Sequence, residues 1–161
     1  MKNFLKKNIL LCVTGGIAAY KSAELTRLFK KEGADVRIVM TESAKEFITP
    51  LTLQAVSGNQ IHDSLLDEKA EAAMGHIELA KWADIILIAP CTADSLSKIT
   101  HGRADDLMGA LILATKASIF IAPAMNMNMW LDPSTQDNYK TLLSRQINFI
   151  GPNDGEQACG D

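Results

Sequence analysis

A doubly wound, three-layer α/β sheet is the fold class this sequence predicts, on three observations. Ile85-Ile86-Leu87-Ile88-Ala89-Pro90 and Ser118-Ile119-Phe120-Ile121-Ala122-Pro123 carry continuous apolar, largely β-branched runs. That is the pattern of strands buried on both faces, and hence of a parallel sheet. Segments with helical spacing alternate with such runs along the whole chain, as βα units do. The 161 residues hold no long linker, internal repeat or low-complexity stretch, so residues 1–161 fit one domain around one core. Together these observations point to the Rossmann/flavodoxin-like class.

Each element follows from its own signals. Asn8–Thr14 is a short apolar run ending at Gly15-Gly16 and reads as the first strand. Ile17–Glu32 has apolar residues at Ala19, Ala23, Leu25, Leu28 and Phe29, a helical spacing. Gly33 closes it, as a glycine just past a helix does. Asp35–Met40 alternates Val36, Ile38 and Met40 onto one side and reads as a second strand. Ser43–Phe47 is a short helical piece, Pro50 opens a helix ending near Gly58, and Gln60–His62 is expected as a short further strand. His76–Trp82 reads as a helix of one or two turns leading into the Ile85 strand. Thr92–His101 and Asp105–Thr115 are expected as helices broken at Gly102. After the Ser118 strand, Thr135–Arg145 is helical and Ile147–Ile150 is a last strand.

Composition narrows the function classes. The chain is 47% hydrophobic and 22% charged, the balance of a globular protein rather than a disordered one. Aromatic residues are only 6%, so aliphatic side chains must fill the core. The formal charge is −3, with no basic run beyond Lys6-Lys7 and Lys30-Lys31, which leaves a nucleic-acid partner without an electrostatic footprint. No stretch approaches the roughly 18 apolar residues that span a bilayer, so no membrane partner is expected. The basic start around Lys6-Lys7 resembles a signal n-region, but the apolar run behind it is short and turns into Gly15-Gly16 without a small-residue cleavage site. A cytoplasmic protein is the expectation. Cys12, Cys91 and Cys159 are far apart and form no CxxC pair, so neither a metal site nor a disulfide framework is indicated.

In such folds ligands bind beyond the carboxyl ends of the strands, and the unusual residues of this chain gather there. Gly15-Gly16 lies between a strand and a helix, where backbone N–H groups can approach an anion. The G-x-G-x-x-G dinucleotide pattern is absent, since Ala18 and Ala19 follow. After the second strand comes Thr41-Glu42-Ser43, and after Pro90 comes Cys91-Thr92-Ala93-Asp94-Ser95. Hydroxyls at these strand ends suit a phosphate, and a mononucleotide such as FMN fits better than a dinucleotide. Each feature also has a plainer reading: the glycines as a tight connection, and Ser43, Thr92, Asp94 or Ser95 as helix caps. Capping alone does not account for the whole ring of hydroxyls. Beyond the Ser118 strand, Asn126 stands among Met125, Met127 and Met129. Its neutral amide can hold a carboxylate or amide, or simply close a turn while the methionines pack.

These segments resemble the homo-oligomeric flavin-containing cysteine decarboxylases. Pro123-Ala124-Met125-Asn126-Met127-Asn128-Met129-Trp130 is similar to that family's Pro-x-Met-Asn-x-x-Met-Trp signature. Gly75-His76-Ile77-Glu78-Leu79 is similar to its histidine motif, and Gly155-Glu156-Gln157-Ala158-Cys159-Gly160 to its substrate clamp. Thr14-Gly15-Gly16-Ile17-Ala18-Ala19-Tyr20-Lys21 and Gly102-Arg103-Ala104-Asp105-Asp106-Leu107 also follow the family, in the family's order along the whole chain. Within it, the phosphopantothenoylcysteine decarboxylase branch of bifunctional bacterial coenzyme A proteins is the nearest in pattern.

The resemblance implies FMN-dependent oxidative decarboxylation of 4'-phosphopantothenoylcysteine to 4'-phosphopantetheine. A carboxylate leaving a saturated carbon would leave an unstabilised carbanion. Oxidising the neighbouring CH2–SH gives a thioaldehyde that absorbs the electrons when CO2 departs, and the cofactor then returns the hydride. By the same resemblance His76 is the base, Cys159 the acid, and Asn126, Ala158 and Gly160 hold substrate. Gly15, Gly16, Ile17, Thr41, Ser43, Thr92, Ala93, Asp94, Ser95 and Met125 line FMN, and the chain forms a trimer, in some members four trimers in a dodecamer. A His suits a base near neutral pH, and an ordinary thiol is mostly protonated at pH 7. His76 as a helix-end or surface group and Cys159 as an inert thiol are the plainer readings, and His62, His101, Cys12 and Cys91 match no family catalytic position. The family pattern continues past Asp161 with the rest of the clamp and, in bifunctional members, a synthetase half that this sequence lacks. Flavin binding is therefore expected of these residues, with the substrate clamp incomplete. Two related activities remain as alternatives: decarboxylation of peptidyl C-terminal cysteine, and a non-catalytic regulatory flavoprotein of the same fold. A flavin prenyltransferase is disfavoured by the Pro123–Trp130 segment.

Overall fold

Alternation along the first strand sets up the layers. In β1 (Asn8–Val13) Ile9, Leu11 and Val13 join one apolar cluster and Leu10 and Cys12 the other, and all five are buried. The sheet is therefore covered on both faces at this strand. The computed structural model describes residues 3–66 and 75–153. Its five strands run in the order β2-β1-β3-β4-β5 and are all parallel, with β2 at Asp35–Met40, β3 at Ile85–Cys91, β4 at Ser118–Pro123 and β5 at Asn148–Phe149. The expected doubly wound fold is thus observed.

One layer consists of α1 (Ser22–Lys31) and α2 (Pro50–Ser57), packed over β1 and β2. The opposite layer contains α3 (His76–Trp82), α4 (Ala93–Thr100) and α5 (Leu107–Ala114), together with α7 (Pro133–Ser144). A five-residue helix, α6 (Met127–Leu131), links β4 to α7. The chain crosses from β2 to β3 over β1, so the strand order reverses between β1 and β3, where a parallel sheet opens its ligand crevice.

Three local expectations are corrected. Ile17–Glu32 is not one helix: Ile17–Lys21 is a 3-10 turn and α1 begins at Ser22. The Ser22 hydroxyl donates to the Ala19 carbonyl at 2.6 Å, three residues back, and holds the tighter turn. Gln60–His62 forms no strand but a single parallel bridge, Val39 to His62, beside β2. Helix α5 starts at Leu107 rather than Asp105, because the Asp106 carboxylate accepts from the Gly109 N–H at 2.8 Å and takes the cap position. The predicted breaks at Gly33, Gly58 and Gly102 fall where the backbone is left-handed.

Candidate functional site

The carboxyl edge of the sheet gathers the loops singled out in the sequence. The turn after β1 touches the one after β2. A Cβ placed on Gly15 would lie 2.5 Å from Ser43 Cβ and 2.8 Å from its carbonyl carbon. Gly15 is therefore glycine because Ser43 crosses it. A Cβ on Gly16 would meet only Thr92 Cγ2, at 3.7 Å, an ordinary contact. Gly16 is extended and precedes the Ile17–Lys21 turn with no side-chain cap. Ile17 is exposed.

Thr41 and Ser43 present hydroxyls 3.3 Å apart, and Thr41 Oγ1 also accepts from the Ala44 N–H at 3.3 Å. Ser43 is not a cap, since Glu42 holds that position and makes no cap bond. After β3, Thr92 is a cap: its Oγ1 accepts from the Ser95 N–H at 3.1 Å and donates to Ser95 Oγ at 3.1 Å. Ser95 is buried, so it braces this turn more than it lines it, while Ala93 is half-buried and Asp94 exposed. The carboxylates that would repel a phosphate are both paired. Glu42 meets Lys45 at 3.0 Å, and Asp94 meets Lys98 at 3.5 Å. Lys45 also reaches Asp63 at 2.8 Å, and these two hydrogen bonds, Asp63 first, hold its ammonium above its usual pKa. The turn that follows Gly16 without a side-chain cap, and the hydroxyls of Thr41, Ser43 and Thr92, fit the phosphate end of a flavin mononucleotide, and the two exposed carboxylates each have a lysine partner.

The exit of β4 joins the same edge, where the Ala124 N–H donates to the Cys91 carbonyl at 3.0 Å. Met125 is half-buried and Asn126 exposed. The Asn126 amide oxygen accepts from the N–H groups of Asn128 and Met129, at 2.8 and 3.3 Å, and caps α6. The turn-closing role is thus real, and it commits the oxygen. The Nδ2 donors remain for a ligand, so Asn126 can offer protons to a carboxylate but little acceptance.

His76 stands on a helix rather than in a strand-end loop. It is the first residue of α3, half-buried, on the flank where Leu79 and Ala80 pack inward and the Thr115 hydroxyl donates to the Ala80 carbonyl at 3.1 Å. Ala158, Cys159 and Gly160 lie outside the described residues. Cys12 and Cys91 are fully buried. Burial, with a smaller push from Asp106, raises the Cys12 thiol to about 12, and burial followed by Cys12 raises Cys91 as well. Both are packing residues. His62 is buried in its bridge, and burial first, then Arg37, lowers its pKa. His101 Nδ1 lies 2.7 Å from the Ser97 carbonyl at the end of α4. The Trp130 ring packs edge-on to Tyr139, and Tyr139 to Phe149, whereas Trp82 carries the Arg37 guanidinium 5.1 Å from its ring centroid.

Beside the site, an apolar groove of about 440 Å3 runs between α1 and the ends of β3 and β4, lined by Leu25, Leu28, Ala89, Ala122 and Pro123 among others. Among the described residues no helix is long and apolar enough to cross a membrane, and no cluster of His, Cys, Asp or Glu is arranged to hold a metal. One contributor was read only as part of the glycine-turn segment and given no role of its own: Thr14, whose signal is a lone hydroxyl between an apolar strand and the glycines.

Comparison with known proteins agrees with this geometry. The sequence family described as Flavoprotein matches residues 2–161. The coenzyme A biosynthesis bifunctional protein CoaBC of Vibrio vulnificus is 56% identical over 161 residues, all of this chain and 40% of that protein. The chain thus spans well under half the length of that curated relative. Among solved structures, a substituted PPC decarboxylase complexed with pantothenoylaminoethenethiol is 34% identical with a TM-score of 0.83, over 97% of this chain and 87% of the other. The FMN binding protein AtHal3 is 34% identical with a TM-score of 0.81, over 97% and 86%. With its fold and nearly its whole length in agreement, the chain belongs to the flavoprotein family.

Proposed function

We propose that residues 1–161 form the flavin-binding decarboxylase domain of a cytoplasmic coenzyme A biosynthesis protein. The reaction is FMN-dependent oxidative decarboxylation of 4'-phosphopantothenoylcysteine to 4'-phosphopantetheine. The observation that carries this reading is the convergence of Gly15-Gly16, Thr41, Ser43, Thr92 and Asn126 on one sheet edge. The likeness to CoaBC over the full chain supports the substrate.

When bound, the flavin supplies reversible two-electron oxidation beside the substrate sulfur, which makes loss of CO2 feasible. The protein's part is to place and to move protons. The glycine turn and the hydroxyls of Thr41, Ser43 and Thr92 hold the phosphate end, Ile17, Ala93, Asp94 and Met125 border the cofactor, and Ser95 braces the turn. Asn126 Nδ2 donates to the substrate carboxylate. His76 accepts a proton in the oxidative half and Cys159 returns one in the reductive half, with Ala158 and Gly160 around the substrate. The resemblance to the homo-oligomeric cysteine decarboxylases supports a site completed by another copy in a homotrimer or larger homo-oligomer. The apolar groove along α1 supports such packing.

Purified protein is expected to carry flavin absorbance and to release CO2 from phosphopantothenoylcysteine in preference to a cysteine-terminated peptide. His76→Asn is expected to abolish product and keep the colour. Well-folded protein that takes up no FMN on reconstitution would remove the reading.

A further inference from the structure

We propose that Thr14 is a positioning residue that sets the spacing between the glycine turn and the Thr92–Ser95 turn, and through it the affinity for flavin. The proposal rests on the flavin-binding reading above and assigns Thr14 no contact with the cofactor. The backbone ladder between β1 and β3 ends at the Cys12–Ile88 pair. Two residues further along β3 stands Pro90, which has no N–H to donate, and the β3–β4 register shifts between Ile88 and Cys91. Ordinary strand pairing therefore stops just where the crevice opens.

Thr14 takes over from it. Its hydroxyl donates to the Pro90 carbonyl at 2.6 Å and accepts from the Thr92 N–H at 3.1 Å. Its own N–H points to the same Pro90 carbonyl at 3.4 Å, and its carbonyl accepts from the Gly16 N–H at 3.1 Å. One side chain and its peptide groups thus tie Gly16 on one wall to Thr92 on the other. The bonds continue outward, since Thr92 Oγ1 is in turn bonded to Ser95. Thr14 is completely buried, so water has no ready route to replace its hydroxyl, and a ligand in the crevice does not reach it. Its influence on a ligand must travel through Gly16 and Thr92.

The test compares wild type with Thr14→Val, which keeps the shape and removes the hydroxyl, and Thr14→Ser, which keeps the hydroxyl. Each is titrated with FMN, with the long-wavelength flavin band and the thermal unfolding of the apoprotein recorded in parallel. Valine leaves the part-buried Thr92 N–H without its acceptor, so FMN affinity is expected to fall about tenfold or more, with a shift of the band, while serine stays within about threefold. Thr14→Ala, which also removes the hydroxyl, carries the same expectation as valine and serves if valine does not fold. FMN binding by the valine or alanine variant at wild-type affinity and with an unshifted band would overturn the proposal, even if unfolding moved. So would a serine variant as impaired as valine. Wild type that binds no FMN overturns the cofactor reading and this proposal with it, a result separable from normal wild-type binding with indifferent variants.

Discussion

Replacing Gly15 with alanine tests whether the two phosphate-facing turns are as tightly apposed as described. The new methyl would sit 2.5 Å from Ser43 Cβ and 2.8 Å from the Ser43 carbonyl carbon, well inside van der Waals contact. Part of that overlap is with backbone, so a rotamer change at Ser43 does not relieve it. Nor can the turn swing away freely. Ala44 behind it is buried, its N–H is bonded to the Thr41 carbonyl at 3.1 Å, and Lys45 is held by Glu42 and Asp63. Overpacking of this kind costs about 1–3 kcal/mol. If the turn moves aside in the free protein, the same amount reappears when FMN requires it back, a loss of roughly 5- to 150-fold in affinity. Gly16→Ala is the control, because its Cβ would meet only Thr92 Cγ2 at 3.7 Å, and its stability should stay near wild type. Urea unfolding of the apoproteins and FMN titration read both quantities. Adding Ser43→Gly to Gly15→Ala should recover part of the lost stability, since it removes the 2.5 Å contact and leaves the 2.8 Å one, but not FMN affinity, because it also removes a phosphate-facing hydroxyl. A Gly15→Ala protein matching wild type in unfolding midpoint and FMN affinity would refute the reasoning.

Two further predictions concern single side chains. Asn126→Ala should cost about 1 kcal/mol through loss of the α6 cap. Asn126→Asp should preserve unfolding temperature yet weaken a carboxylate ligand by about tenfold or more, because it trades the Nδ2 donor for a negative oxygen. Unchanged ligand affinity in the aspartate variant would exclude Asn126 from that role. His62 has its pKa lowered from 6.5, by burial first and then by Arg37, with Asp63 opposing. The unfolded chain thus binds the extra proton first, and the stability contributed by neutral His62 is present above about pH 6.5 and lost as pH falls below it. Urea midpoints measured from about pH 7 down to about pH 5 should decline, and His62→Gln should flatten the His62 share of that slope. An identical slope in the variant would show that His62 does not titrate as described.

Strands buried on both faces were the most legible part of the fold. β3 is apolar at every position and mostly buried, so Ile85–Pro90 stands out whatever surrounds it. Ile119–Pro123 is as apolar, but burial on both faces is not met there: only Ile121 and Pro123 are buried, and Ala122 borders the groove beside α1. Where tertiary contacts decide, periodicity falls short. The Ser22 hydroxyl bond divides Ile17–Glu32 into two helices without changing its apolar spacing. The segment around His62 is extended but finds only one bridge beside β2. α6 is too short to show a period and exists because Asn126 caps it. The site divides in the same way. Topology brings strand ends together, so hydroxyls and glycines just after strands were readable as a cluster. The cause of Gly15, by contrast, is a side chain 28 positions later in the chain, which is Ser43. Whether His76 meets the crevice depends on which flank α3 occupies, which no local spacing encodes.

An open sheet is exposed to polymerisation along its two outer strands, whose free amides and carbonyls can template another chain. Here both borders are blunted. Beyond β2, the His62 peptide takes the Ile38 carbonyl and the Met40 N–H, each at 2.9 Å. At the far side β5 offers only Asn148 and Phe149, too little length to recruit a neighbour in register. Strand-to-strand fibre growth therefore finds little purchase, and association between copies is steered toward side-chain surfaces whose shape and polarity can be selective.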